Sequence, residues 1–208
     1  MNSPAAPDEL GRANDVRKQF LVPGGAGAYM VDIVRAFRPA SGAKRYVEVG
    51  SRDKGNIAWL SERLATDAVI VDVDLKNLPA SERKLRQYIT PTQSYTMIEG
   101  NSVAPETIAG VERALGGEKA DLIFLDSSHM YDHFLQEVEL YLPLVKRGGL
   151  LIFHDALWEG NQHGKGKALA IDRFLPVYCV VMNLPVHRIM LRETKADTWG
   201  TVGVIVKD

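Results

Sequence analysis

The stretch Arg45 to Gly55, RYVEVGSRDKG, constrains the fold more than any other part of the chain. Tyr46, Val47 and Val49 carry strand-forming side chains, Glu48 lies among them, and Gly50 ends the run. Gly55 then opens a segment with Asn56, Ile57, Trp59 and Leu60 that reads as a helix. A strand, a glycine-containing turn and a helix form the first half of a βαβ unit, in which a ligand lies over the carboxyl end of the strand. Gly50 suits that place: it can adopt positive φ and has no Cβ to hold a ligand away.

The rest of the chain repeats the alternation. Ala68 to Val73, Ser94 to Ile98, Asp121 to Leu125 and Leu150 to Phe153 read as strands, the last two as buried parallel ones because they are almost wholly apolar. Between them, Ile57, Leu60 and Leu64 mark a helix face, Ser81 to Ile89 a polar helix, and Pro105 opens a helix that Gly116-Gly117 stops. Tyr131, Leu135, Val138 and Leu142 recur at helical spacing, and Arg147-Gly148-Gly149 is a turn into the next strand. Lys165 to Leu175 reads as a helix, and His187 to Leu191 with Thr201 to Val206 as an antiparallel edge pair. The expected architecture is a Rossmann-like, doubly wound α/β sheet of seven mostly parallel strands with an antiparallel edge and helices on both faces. Ahead of it, residues 1–22 read as a tail or arm, followed by a turn at Val22 to Gly25 and a helix over Ala26 to Phe37. Residues 23–208 form the one domain.

Charge and composition exclude several classes. The chain has 25 basic and 26 acidic residues among 208, which gives no electrostatic case for nucleic acid. Cys179 is the single cysteine, so no internal disulfide forms, and no apolar stretch approaches a membrane span of roughly 20 residues. Without the apolar core of a signal peptide, a cytoplasmic protein is the expectation.

An acidic residue about 20 positions beyond such a glycine turn is where a ribose diol is held, and Asp72 stands there. The turn lacks the GxGxxG pattern, and Asp53 within it repels a pyrophosphate, which disfavours a nicotinamide dinucleotide. A ligand with a ribose and a positive centre fits better. Four blocks, EVGSRDKG, VIVDVD, IEGNS and DLIFLDSSHMY with GGLLIFHD, resemble class I methyltransferases that use S-adenosyl-L-methionine (SAM). They are similar in particular to small-molecule O-methyltransferases grouped with cephalosporin hydroxylase-like proteins. The likeness runs from Arg45 to Asp155.

That resemblance implies a SAM site built from Glu48, Gly50, Ser51, Gly55, Asp72, Asp74, Asn101, Ser102 and Asp126. Glu48 corresponds to a residue near the methionine amino end, Asp72 to the diol acceptor, and Asn101 and Ser102 to the border of the adenine. Asp72 and Asp74 are expected to point to opposite faces, so that only one of them meets the ribose.

The sharpest chemistry lies at Asp126-Ser127-Ser128-His129 and His154-Asp155, at the ends of neighbouring apolar strands. In catechol O-methyltransferase-like enzymes the matching positions hold a divalent cation, usually magnesium. Asp126 and Asp155 suit it as hard oxygen ligands. His154 departs from that pattern, because imidazole favours transition metals. Three readings stay open for Asp126, His154 and Asp155: another metal, magnesium held by the two aspartates and water, or no metal with His154 as base or hydrogen-bond partner. His129 replaces a lysine base of related enzymes and can take a proton near neutral pH. Trp158, Asn161, His163, Lys165 and Lys167 lie in a glycine-rich stretch that suits an acceptor lid.

The resulting expectation is SAM-dependent O-methylation of a hydroxyl on a small molecule, such as a sugar or phenol, with catalytic roles for His129, Asp126 and His154. The alternative is a non-catalytic Rossmann-like module that binds SAM or a partner. Dimers are common among the resembling proteins, and a homodimer stays open.

Overall fold

A computed structural model describes residues 42–156, 159–161, 164–166, 189–191 and 202–207. The arm, the turn at Val22 to Gly25, the helix over Ala26 to Phe37, the domain boundary, Trp158, His163, Lys167, Cys179 and nearly all of Lys165 to Leu175 lie outside these residues.

One sheet of seven strands organises the described residues. The parallel strands are β1 (Arg45–Val49), β2 (Val69–Asp74), β3 (Ser94–Glu99), β4 (Ala120–Leu125) and β5 (Val145–His154). A small hairpin, β6 (Gly160–Asn161) and β7 (Gly164–Lys165), follows β5. At the far edge lie β8 (Ile189–Leu191) and β9 (Val202–Val206), with β9 antiparallel to both β5 and β8. The order is β3-β2-β1-β4-β5-β9-β8. The chain therefore winds outward from β1 in one direction, returns, and winds outward from β4 in the other. The gap between β1 and β4 is the switch point at which open parallel sheets bind ligands.

Apolar residues fill both faces, as parallel strands require. Tyr46, Ile70, Leu122, Phe124, Leu150 and Ile152 pack with Ile57, Trp59 and Leu60 of helix α1 (Gly55–Ser61). Val47, Val49, Val71, Val73, Ile123, Leu125, Leu151 and Phe153 face the other way, toward helices α3 (Pro105–Ala114) and α4 (Tyr131–Tyr141). Helix α2 (Pro79–Leu85) buries only Leu85, as its polar sequence foretells.

Several boundaries differ from those expected. Pro79 sits in the first turn of α2, so this helix starts before Ser81. Proline costs nothing there, because first-turn N–H groups have no helical partner. Arg147-Gly148-Gly149 lies inside β5 rather than before it. Gly148 takes φ 71° and the register against β4 shifts there, while Lys207 closes the gap by exchanging backbone bonds with Gly148 and Gly149. Gly164–Lys165 is strand, so no helix begins at Lys165. Asp72 and Asp74 do not diverge: both lie within β2, and residues two apart on a strand share a face.

Gly50 carries a tight demand on sequence. It has φ 87°, and a Cβ there would lie 2.5 Å from the backbone of Asp126 and Ser127. Its glycine therefore lets the exits of β1 and β4 touch, rather than only admitting a ligand. Gly42 has a similar φ of 86° with nothing within 4 Å of its added Cβ. Gly42→Ala is expected to cost about 1 kcal/mol from backbone strain alone, and Gly50→Ala at least twice about that. Equal losses in urea unfolding would contradict the close approach.

Candidate active site

Parallel register brings the polar ends of β1, β2, β4 and β5 to one rim. Glu48 pairs across the ladder with Asp72 on one side and Phe124 on the other, and Leu125 pairs with Phe153. The residues just beyond, Asp126 and His154-Asp155, are thus neighbours. The N–H of Asp126 donates to Val49 O at 2.7 Å and that of Gly50 to Val73 O at 2.8 Å, which locks the exits together.

Asp126, His154 and Asp155 each offer a ligand atom within 4.8 Å of one another. His154 Nδ1 lies 3.0 Å from Asp126 Oδ1 and 3.5 Å from Asp155 Oδ2, so one imidazole sits between two carboxylates. Asp155 is buried and held at φ 51°, a left-handed conformation that strains a side chain. His129 Nδ1 reaches Asp155 Oδ2 at 3.4 Å, with its ring 6.5 Å from that of His154. The two oxygens and one imidazole nitrogen fit a borderline divalent cation better than magnesium by donor type. The β6–β7 hairpin lies beside this group: Gly166 bridges to Met130, the neighbour of His129.

Glu48 is fully buried. The phenol of Tyr46 donates to its Oε2 at 2.5 Å. Burial pushes its pKa up to about 8, the Tyr46 bond opposes this, Asp72 and Asp126 add to it by repulsion, and Asn56 lowers it. Asp72 is also fully buried, and Lys54 Nζ and Tyr95 OH both donate to its Oδ2 at 2.6 Å. The contact with Asp72, after burial, raises the pKa of Tyr95 far above its usual range. Asp72 Oδ1 and Glu48 Oε1 are buried and find no hydrogen-bond partner among the described residues. Such oxygens suit the O–H and N–H donors of a ribose and an ammonium, so this part of the rim fits the SAM group.

Other expected SAM contacts are distributed unevenly. Ser51 and Gly55 are buried in the turn, where Asp53 accepts the Gly55 N–H at 3.0 Å. Asp74 accepts the Arg52 N–H at 2.7 Å and so ties the turn to the end of β2. Asn101 is exposed and accepts the Val103 N–H. Ser102 is buried and donates to Glu137 Oε1 at 2.6 Å, with His133 Nε2 2.8 Å from its hydroxyl. Ser127 donates to the same Glu137 oxygen, and Tyr141 OH to Ser102 O at 3.0 Å.

Sequence reasoning missed Lys54, Tyr95, Glu137 and His133. Glu137 left a trace: it is a carboxylate on the buried side of α4, beside Phe134, Val138 and Tyr141. Lys54 left none, because an exposed turn lysine looks the same in sequence.

A family model described as rhamnosyl O-methyltransferase/CmcI matches residues 32–172, more than half of the chain. The chain belongs to the rhamnosyl O-methyltransferase/CmcI family. It is an enzyme of O-methyl transfer by that membership, and the family implies a small-molecule acceptor. No curated protein sequence matches it. Among solved structures it is similar to the O-methyltransferase TomG of Streptomyces achromogenes, involved in tomaymycin synthesis and solved with SAM. That pair has TM-score 0.68 and 14% identity over 98% of this chain and 91% of the other. An O-methyltransferase of Bacillus cereus in complex with SAH gives TM-score 0.64 and 16% identity over 97% and 92%. The mycinamycin-pathway methyltransferase MycE, solved with Mg and SAH, gives 0.65 and 15% over 94% and 54%. At these identities the likeness establishes a shared methyltransferase fold. No helix among the described residues is long and apolar enough to cross a membrane.

Glu48 generates a pH signature. With a folded pKa of about 8 against an ordinary 4.5, it is protonated in both states at low pH and costs nothing there. Between those values the unfolded chain ionises while the folded chain keeps its proton, so stability falls as pH rises and levels off above. Glu48→Gln is expected to gain stability over wild type progressively from about pH 5 to about pH 8, by on the order of a few kcal/mol. A pH-independent difference in urea unfolding would rule this out.

Proposed function

We propose that this protein transfers a methyl group from SAM to a hydroxyl of a small molecule, a sugar or phenol-like acceptor, in the cytoplasm. The observation that carries the reading is the convergence of Asp126, His154 and Asp155 on the rim that also presents Glu48 and Gly50. Glu48 and Asp72 offer acceptor oxygens to the cofactor's ammonium and ribose. Ser51 and Gly55 line the turn beneath them. Asp126, His154 and Asp155 are the donors for a divalent cation.

Bound SAM supplies an electrophilic methyl group on a positive sulfur, and a divalent cation supplies a Lewis acid that lowers a hydroxyl pKa. His129 takes the acceptor proton, and Asp155 holds that imidazole in place. The apolar strand tips, Val49, Leu125 and Phe153, stand immediately below and keep water from beneath the reacting groups.

The test combines two readouts. Calorimetry with SAH asks whether the cofactor site exists, and methyl transfer from labelled SAM to a panel of sugars and phenols asks what it does. Asp126→Ala and Asp155→Ala are expected to lower turnover by about 100-fold or more, with SAH still bound by Asp155→Ala. The same variants lose affinity for manganese and magnesium in a separate titration. Undiminished turnover in both variants would overturn the role given to the rim.

A further inference from the structure

Lys54 is out of place as an ordinary turn residue. Its φ is 68°, a conformation that disfavours any residue with a Cβ by about 1 kcal/mol or more. Its side chain is completely buried, and no other lysine or arginine among the described residues is. Nζ has one strong acceptor, Asp72 Oδ2 at 2.6 Å. Its other neighbours are Ser51 Oγ at 3.4 Å and the thioether of Met97 at 3.5 Å. An ammonium has three donors, so two of them are poorly met.

The same crevice holds the reverse deficit: Asp72 Oδ1 and Glu48 Oε1 are buried acceptors with no partner among the described residues. A ligand that satisfies all of these must bring a diol and an ammonium for the oxygens and an anion for Lys54. A nucleoside with an amino-acid tail has this set. We propose that Lys54 is a cofactor-binding residue that exchanges Asp72 for the carboxylate of the cofactor's amino-acid tail when the ribose diol takes over Asp72. This rests on the SAM reading above. Lys54 then has two tasks. It neutralises Asp72 before the cofactor arrives, when a lone buried carboxylate is costly, and it recognises the tail afterwards. A neutral side chain at position 54 would do neither.

Two ligands separate this from a structural role. SAH carries the amino-acid tail, and 5′-methylthioadenosine keeps the nucleoside and sulfur but lacks the tail. Titration of Lys54→Met is expected to show SAH affinity reduced about tenfold or more, as for a lost charge-assisted bond. Affinity for 5′-methylthioadenosine is expected to hold or rise, because the competitor for Asp72 is gone. Lys54→Gly, which also removes the backbone strain, should give the same split. Equal weakening of both ligands, or unchanged SAH binding, overturns the proposal. If neither variant folds, the wild type decides. SAH with its carboxylate converted to a carboxamide should bind about tenfold more weakly, and equal binding is the contrary result. Wild type that binds neither SAH nor 5′-methylthioadenosine instead refutes the SAM reading itself.

Discussion

Like-charge convergence in a dry environment governs this molecule. Parallel strands deliver their ends to one rim, and here those ends are carboxylates: Glu48, Asp72, Asp126 and Asp155, with Glu137 just behind. A buried ionised carboxylate without compensation costs several kcal/mol. Each is compensated differently. Glu48 keeps a proton and takes a bond from Tyr46. Asp72 has a buried ammonium and a phenol. Asp126 and Asp155 flank an imidazole. Glu137 has two hydroxyls and His133. Among the described residues Lys54 is the only fully buried lysine or arginine. The other partners of these carboxylates are phenols, hydroxyls and imidazoles.

The apolar body of the sheet permits this arrangement. Val47, Val49, Ile123, Leu125, Leu151 and Phe153 make the sheet apolar below the rim on the α4 face. Glu48 and Asp72 lie within the last three residues of their strands, and Asp126 and Asp155 just beyond theirs. Desolvation beneath them raises the pKa of Glu48 and strengthens the short bonds that offset it. Stability and site chemistry thus have one origin: strands apolar enough to be buried also make their own polar ends reactive.

The succession of strands was legible because its signals are local. DLIFL and LLIF announce buried strands, and the Gly50 turn with a following acid announces a switch-point site. The meeting of Asp126 with His154-Asp155 could be read for the same reason, since register follows once the strands are adjacent. The occupation of Asp72 by Lys54 and Tyr95 could not. Those residues lie 18 and 23 positions from it, on different elements, and only packing decides which one reaches it. Glu137 was obscured for another reason. Of the face marked by Tyr131, Leu135, Val138 and Leu142, the last two are buried and the first two partly so, while a neighbouring buried stripe runs through Phe134, Glu137 and Tyr141. Glycine at position 50 was read correctly as a conformational requirement, but its close neighbour proved to be the backbone just after β4.

That last difference bears on how the site holds its shape. With 2.5 Å between a notional Gly50 Cβ and the Asp126 backbone, the turn after β1 and the loop after β4 cannot move apart or together independently. Asp74 fixes the same turn to β2 through Arg52, and Glu137 fixes Ser127 and Ser102 to α4. The ends of β1, β2 and β4 are therefore joined to one another and to α4. The β6–β7 hairpin is attached differently: a short ladder of its own and one bridge from Gly166 to Met130. Among the described residues, the turn after β1 and the loop after β4 are braced by each other, by β2 and by α4.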